Sequence, residues 1–358
     1  MSRIAIVQRF LPPVSRGGVG HFAHGLATVL SSRGHAVTMF SEDPGPPGAP
    51  YEVRRVTRAN ATPRTRRNPL GFALRVGRLD FSAFDLIHAQ GDDQFIPRRS
   101  APPVVRTLHG SSWAEAIHNG VYRLSPRRFL LHFTFYALEL VSDLRADTVV
   151  AVSRHTGRHF LRLDEVVPNG VDLGRFAPDD APKAPQPTIL FVGELRSRKR
   201  GDLLVDVVRR FVRPQVPDVR LWVVSPDRVD GEGIEWWGAV DDERLAGLYR
   251  SAWVMCLPSS YEGFGRPYIE AMAAGTAVIA TPNPGAQEAL DDGRAGLIVK
   301  KHDLGPALCR LLTNADARRT LAARGLERSR EFAWDRVAVR YELIYEAVLE
   351  RRAHHPAV

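Results

Sequence analysis

Short β-rich apolar runs alternate with helical patterns along almost the whole length of this chain, and that rhythm restricts the fold more than any other feature. In the first half the runs fall near Ile4–Gln8, Ala36–Phe40, Leu86–His88, Val104–Leu108, Thr148–Val152 and Glu165–Val167. In the second half they fall near Thr188–Val192, Val219–Val224, Trp253–Leu257, Ala277–Ala280 and Gly296–Val299. Runs that are apolar throughout, rather than alternating, belong to strands buried on both faces, so the expectation is α/β with parallel sheets covered by helices. Between the halves, residues 176–187 carry Pro178, Pro182, Pro185 and Pro187, which fit neither a strand nor a helix interior. The boundary is expected there, giving domains over 1–175 and 188–333 joined by a linker at 176–187. A final helical segment covers 334–358.

A length of 358 residues suits two domains, and 44% apolar content is ordinary for a globular protein. Cys256 and Cys309 are the only cysteines and have no metal-ligand spacing. The chain opens directly into a strand with no secretory signal, so a cytoplasmic protein is expected. Its net charge of +9 comes almost wholly from arginine, since Lys183, Lys199, Lys300 and Lys301 leave 45 of the 49 basic residues as Arg. Arginines gather at positions 54, 55, 58, 64, 66, 67, 75 and 78. They read first as a solvated loop, and second as a contact for an anionic acceptor or the inner face of a membrane. Nucleic acid is not expected, because no aromatic interleaving or reading motif accompanies the charge. The apolar segment Phe129–Val141 is too short and too interrupted by His132 and Glu139 to span a bilayer. It reads as a core helix, with interfacial binding helped by Arg127 and Arg128 as the alternative.

Chemistry concentrates in residues 258–275, where Glu262 and Glu270 are separated by seven residues across a loop and a helix start. The strand Trp253–Leu257 precedes this loop, and open α/β sheets bind ligands at the carboxyl ends of their strands. Gly263 and Gly265 allow close backbone approach, while Pro267 suits the start of a helix whose N-terminus favours an anion. Two carboxylates that accept from hydroxyls, beside a phosphate position, point to a sugar phosphate or sugar nucleotide. For Glu270 alone, a helix-start charge would be the better reading. The glycines at 18, 20 and 25 form only a weak dinucleotide fingerprint, because the loop after the first strand is too long. Glu42 is the acid that keeps that reading open. His109 ends the strand Val104–Leu108 and by position projects toward the ligand side; His88 reads as structural. Asn169 and Asp172 lie in a turn and receive no chemistry. The Asp pairs at 92–93, 179–180, 241–242 and 291–292 are scattered, so no metal site is expected.

The two-glutamate segment resembles the E-x7-E signature of retaining glycosyltransferases of the GT-B architecture, most like family 4, the group 1 glycosyltransferases. The small-residue helix Glu270–Gly275, the strand Ala277–Thr281, Glu288 and Asp292–Leu297 extend the resemblance. It implies two Rossmann-like domains facing a central cleft, with the last helix returning to the first domain. By resemblance, Glu262 binds the donor sugar and stabilises the developing oxocarbenium ion, Glu270 holds the ribose, and the amides of Gly263, Phe264 and Gly265 bind sugar and phosphate. His109 contacts the donor sugar and joins Glu262 as a catalytic residue; Gly17 and Gly18 meet the donor phosphates. Backbone groups near Val240 receive the base. The family places an arginine after the glycine of the strand ending Phe191–Gly193 and a lysine five residues later. Lys199 matches that lysine, whereas Glu194 stands at the arginine position, so Arg196 or Arg198 is expected to take over the charge.

The implied function is retaining, metal-independent transfer of a sugar from a UDP-, GDP- or dTDP-sugar, with no other cofactor. The acceptor is a glycolipid, a polysaccharide end or a secondary metabolite. A sugar-nucleotide epimerase of the same architecture and a non-catalytic sugar-nucleotide-binding subunit are the rival readings.

Overall fold

The computed structural model describes residues 1–14, 17–57, 69–97, 102–118 and 126–354. It divides into two compact units, one formed by Met1–Gly170 with Trp334–Val358 and the other by Val171–Ala333. The arginines at 58, 64, 66 and 67 lie outside the described residues.

In the first unit the strands are β1 Arg3–Val7, β2 Ala36–Ser41, β3 Glu52–Arg55, β4 Leu86–Ala89, β5 Val104–Leu108, β6 Thr148–Ala151 and β7 Glu165–Val166. They form one parallel sheet in the order β3-β2-β1-β4-β5-β6-β7. In the second unit they are β8 Thr188–Val192, β9 Arg220–Val224, β10 Ile234–Gly238, β11 Val254–Leu257, β12 Ala277–Ala280 and β13 Leu297–Ile298. That sheet is also parallel, ordered β10-β9-β8-β11-β12-β13. Each order reverses beside the unit's first strand, and such a switch point opens a crevice where loops can bind ligand. In the second unit the reversal lies between β8 and β11, so the loops after those two strands are neighbours.

The central strands are fully buried apolar runs, as β11 illustrates with Val254, Met255, Cys256 and Leu257 all inaccessible. The edge strands β3 and β10 escape that pattern. Strand β3 reads Glu-Val-Arg-Arg and is largely exposed, and β10 is half-buried with Trp236 facing outward. A strand paired on one side only needs no continuous apolar run, so neither stood out in the sequence.

The last helix, Trp334–His354, belongs to the first unit. Val337, Ala338, Tyr341, Ile344, Tyr345 and Val348 enter the same core as Ile4, Ile6 and Phe22. His88 ties this helix to the sheet: its Nδ1 pairs with Tyr345 Oη at 2.7 Å and its Nε2 with Thr107 Oγ1 at 2.7 Å. Burial pushes its pKa down to about 3, which keeps the ring neutral, in line with a structural histidine.

The division between units falls at 170–171 rather than in the proline-rich stretch 176–187. That stretch is bound to the second unit. Phe176 packs edge-on to Tyr249, the Ala184 amide donates to Ser251 O, and Trp253 Nε1 donates to Ala184 O. Its prolines prevent regular structure without preventing docking, and Asp172 instead caps the short helix Leu173–Phe176 just ahead of it.

Two of the clustered arginines take part in ion pairs among the described residues. Arg54 pairs with Glu52, and Arg75 bonds Glu42 Oε1 at 2.5 Å and the Val56 carbonyl. Glu42 is buried and paired with Arg9 as well. Both its oxygens are engaged by arginines, so here it serves as a structural ion pair.

Candidate active site

The sequence after β11 turns through Ser259–Gly265 and enters the helix Arg266–Ala273. Gly265 makes that entry possible: its φ of +89° is left-handed, and a Cβ there would collide with the Tyr268 ring. Pro267 sits in the first turn, where its missing N–H costs nothing. The loop thus delivers Glu262 before the helix and Glu270 within it, both nearly inaccessible at 5% and 6% exposure.

Buried carboxylates require partners, and each has two. Glu262 Oε1 accepts from Ser259 Oγ at 2.9 Å and from Arg198 Nη1 at 2.7 Å. Glu270 Oε1 accepts from Arg266 Nη2 at 2.8 Å, one helical turn away, and Oε2 from Tyr249 Oη at 3.1 Å. Tyr249 is itself fully buried on the helix Asp242–Ser251.

The loop after β8 runs alongside and clamps the loop after β11 at three successive points. Arg198 O accepts from the Ser260 amide, Arg198 Nη1 donates to Tyr261 O, and Arg200 Nε donates to Pro258 O at 2.6 Å. Arg200 Nη2 also reaches Thr281 Oγ1. Between these arginines, Lys199 folds back over Gly193 and donates from Nζ to Val192 O at 3.2 Å. Gly193 has a φ of +145°, and a Cβ would strike Lys199 Cδ, so glycine both shapes the turn and leaves the lysine its path. Burial pushes the Lys199 pKa below the ordinary lysine range, against the opposing pull of Glu262 and Glu270. A lysine held this way, partly desolvated beside both glutamates, is a cation that a polyanion would stabilise.

The second unit therefore brings together Glu262, Glu270, Arg198 and Lys199 with Gly263 and Gly265. Arg196 does not join them: it lies exposed on the same loop, and Arg198 is the arginine turned inward. Arg198 is salt-bridged to Glu262, so it holds the carboxylate as well as offering a charge. Phe264 is a core residue, packed edge-on against Phe332 at 5.3 Å, so its contribution to a ligand would come from its backbone. Val240 is half-buried in the turn after β10. Sequence reasoning did not single out Ser259, Tyr249, Arg200 or Arg266. Of these only Arg266 carried a local signal, its i,i+4 spacing to Glu270.

In the first unit, Gly17 caps and Gly18 opens the helix Gly18–Ser32, which follows the loop after β1. His109 directly follows β5 and packs edge-on to Phe22 at 4.7 Å. Its Nε2 lies 2.6 Å from Gln90 Oε1, an atom that can only accept, which makes Nε2 the donor and Nδ1 the acceptor. Burial lowers the His109 pKa to about 3, so the ring is a neutral hydrogen-bonding group at physiological pH. The Gln90 Nε2 is buried without a hydrogen-bond partner among the described residues. Among the described residues no group of three or more His, Cys, Asp or Glu side chains could hold a metal ion.

Comparison with known proteins agrees with this geometry. Residues 16–175 match the family described as Glycosyltransferase Family 4, and residues 186–314 match Glycosyl transferases group 1. The chain is 30% identical to the phosphatidyl-myo-inositol mannosyltransferase of Mycobacterium tuberculosis, over 93% of each protein. Its fold is similar to that of sucrose-phosphate synthase from Thermosynechococcus elongatus, with a TM-score of 0.80 at 23% identity, covering 98% of this chain and 100% of that one. Anabaena HepE, solved in complex with UDP-glucose, superposes with a TM-score of 0.75 at 16% identity, over 97% and 100% of the chains. The chain belongs to the family 4, group 1 glycosyltransferases, and is a glycosyltransferase of the GT-B architecture built from two Rossmann-like domains.

Proposed function

We propose that this enzyme transfers a sugar from a nucleotide-sugar donor to a lipid acceptor of the phosphoinositide type, with retention at the anomeric carbon and without an essential metal or other cofactor. The observation that carries the donor reading is Lys199, half-buried behind Gly193 in the field of Glu262 and Glu270 where the loops after β8 and β11 adjoin. A nucleoside diphosphate supplies the negative charge this lysine lacks. Its second cation is Arg198, which stands in for the arginine displaced by Glu194. The N-terminus of the helix Arg266–Ala273 and the amides of Gly263, Phe264 and Gly265 add pre-organised donors.

In this reading Glu262 accepts hydrogen bonds from donor-sugar hydroxyls and stabilises the oxocarbenium ion as the bond from the anomeric carbon to the phosphate oxygen breaks. The electron pair leaves with the diphosphate, whose charge Lys199 and Arg198 meet. The acceptor hydroxyl forms the new bond to the anomeric carbon, and its proton passes to the departing phosphate oxygen. Glu270, fixed by Tyr249 and Arg266, accepts from the ribose hydroxyls, and backbone groups near Val240 receive the base. The resemblance assigns His109 to the donor sugar and Gly17 and Gly18 to the donor phosphates; the neutral, hydrogen-bonding state of His109 supports a binding role. The lipid acceptor is inferred from the mannosyltransferase relative, whose name specifies phosphatidyl-myo-inositol. Such an acceptor requires work at a bilayer surface, and no helix among the described residues is long and apolar enough to cross one.

The test is a thermal-shift panel with UDP, GDP, ADP, dTDP and their sugars, followed by a transfer assay with phosphatidylinositol. A ligand at about 100 times its Kd should add roughly 2.7 kcal/mol to stability. If no nucleotide raises the melting temperature, the donor reading fails; if donor binds but phosphatidylinositol gains no sugar, the acceptor reading fails.

A further inference from the structure

The helix Pro126–Arg145 is amphipathic in the inverse sense: it presents its acids inward and its apolar residues outward. Glu139 accepts from the Ser112 amide and from Ser112 Oγ at 2.6 Å, Asp143 is inaccessible beside Arg106, and Tyr136 donates to His159 O. The opposite face carries Leu130, Phe133, Thr134, Ala137, Val141 and Leu144, all exposed. Leu130 is 64% exposed, Phe133 51%, Val141 45% and Leu144 59%. At 100° per residue these six positions fall within an arc of about 100°, and at 1.5 Å per residue they run for roughly 20 Å. A continuous apolar stripe of that size, bearing no charge, normally marks a covered surface.

Charge beside the stripe says what covers it. The segment Arg158–Leu163 is held against the helix by the Tyr136–His159 bond and by Tyr136 packing on Phe160 at 6.3 Å. Leu161 in that segment is 63% exposed, and Arg158, the C-cap of the short helix Arg154–Gly157 that Ser153 caps, is exposed. Arg154 is exposed as well. An anionic lipid surface accepts apolar side chains and cations together, which matches an apolar stripe flanked by exposed arginines.

We propose that this face, with Leu130, Phe133, Val141 and Leu144 inserted and Arg158 at the headgroups, docks the enzyme on an anionic bilayer. The proposal rests on the lipid-acceptor reading, since docking is what brings a membrane acceptor to a chain that has no spanning helix among its described residues. The test is co-sedimentation of the full chain with vesicles of phosphatidylglycerol and phosphatidylcholine, against vesicles of phosphatidylcholine alone. Wild type should pellet with the anionic vesicles and be released by salt. Leu130→Ser/Phe133→Ser/Leu144→Ser should lower partitioning at least tenfold, and Arg158→Glu roughly fivefold or more. Both variants should keep the donor-induced thermal shift, which shows that they are folded.

Absence of wild-type binding, or variants that bind as wild type does, overturns the docking. So does a wild-type dimer that the triple variant renders monomeric, because the face would then belong to a second copy. Sugar transfer to phosphatidylinositol in detergent, without vesicle binding, removes the docking and leaves the acceptor reading intact. Vesicle binding without any lipid product does the reverse.

Discussion

Replacing Lys199 with methionine separates its cost to the fold from its value to the ligand. Lys199 is half-buried, its ammonium donates to the Val192 carbonyl, and desolvation holds it below the ordinary lysine range. Methionine fills a similar volume without the charge, while Glu262 and Glu270 keep two other donors each. Loss of the hydrogen bond costs about 1 kcal/mol, and release from desolvation offsets a comparable amount, so the stability change should stay within roughly 1 kcal/mol. Donor binding loses a charge-assisted contact worth about 1.5–3 kcal/mol, which is roughly a 10- to 100-fold rise in Kd for the nucleoside diphosphate. Calorimetric titration of both proteins reads the second number, and urea unfolding the first.

The wild type should also lose donor affinity as pH rises through the lowered lysine pKa, because the neutral amine offers the diphosphate no charge. It should take up protons on binding in that range, seen as a dependence of the binding heat on buffer ionisation. The folded protein holds this proton less tightly than the unfolded chain does. Lysine ionisation therefore adds to stability as pH climbs from the lowered value toward 10.5. A variant that folds normally and binds diphosphate within twofold of wild type would refute the assignment of Lys199 to the phosphates.

Four further outcomes follow from the packing and ion pairs described. Gly265→Ala combines a left-handed backbone penalty of about 1–2 kcal/mol with a clash on the buried Tyr268 ring of about 1–3 kcal/mol, so denaturant midpoints should fall by the equivalent of roughly 2–5 kcal/mol. Gly247→Ala, in a helix with open space at its Cβ, should gain about 0.4–1 kcal/mol, and a loss there would contradict the packing described. Tyr249→Phe removes one of two donors to Glu270 and should weaken nucleoside binding about tenfold with kcat little changed; a fall in kcat at constant KM would place Glu270 elsewhere in the reaction. Burial raises the Asp143 pKa to about 7, so in the folded protein it binds its proton more tightly than in the unfolded chain, and its contribution to stability falls as pH rises from about 4 through 7. Asp143→Asn should accordingly raise the melting temperature more at pH 8 than at pH 5, and an equal effect at both would count against that titration.

What the sequence disclosed follows the physics of burial. Strands enclosed on both faces, such as β8 and β11, are continuous apolar runs and are recognisable at sight; β3 and β10, paired on one edge, are not. The boundary was misplaced because four prolines forbid regular structure but say nothing about docking, and Ala184 and Trp253 bind that stretch to the second unit. In the site, Glu262 and Glu270 were legible because one loop and one helix turn fix both. Their partners Ser259, Tyr249 and Arg198 were set by tertiary contact. Arg196 and Arg198 are two residues apart on one loop, and only the fold shows that Arg198 is the one turned to Glu262. The segment Phe129–Val141 reads in the sequence as a core helix, and the structure overturns that: Leu130, Phe133 and Val141 face outward, because an apolar pattern does not say which face of a helix is covered.

The most direct measurement is transfer of labelled sugar from its nucleotide donor to phosphatidylinositol by wild type and by Glu262→Ala, with nucleoside diphosphate release followed alongside. The account predicts release that depends on acceptor in the wild type and a fall in kcat of about 10²–10³ in the variant, which should still fold and bind nucleoside diphosphate. Undiminished turnover by Glu262→Ala would contradict it.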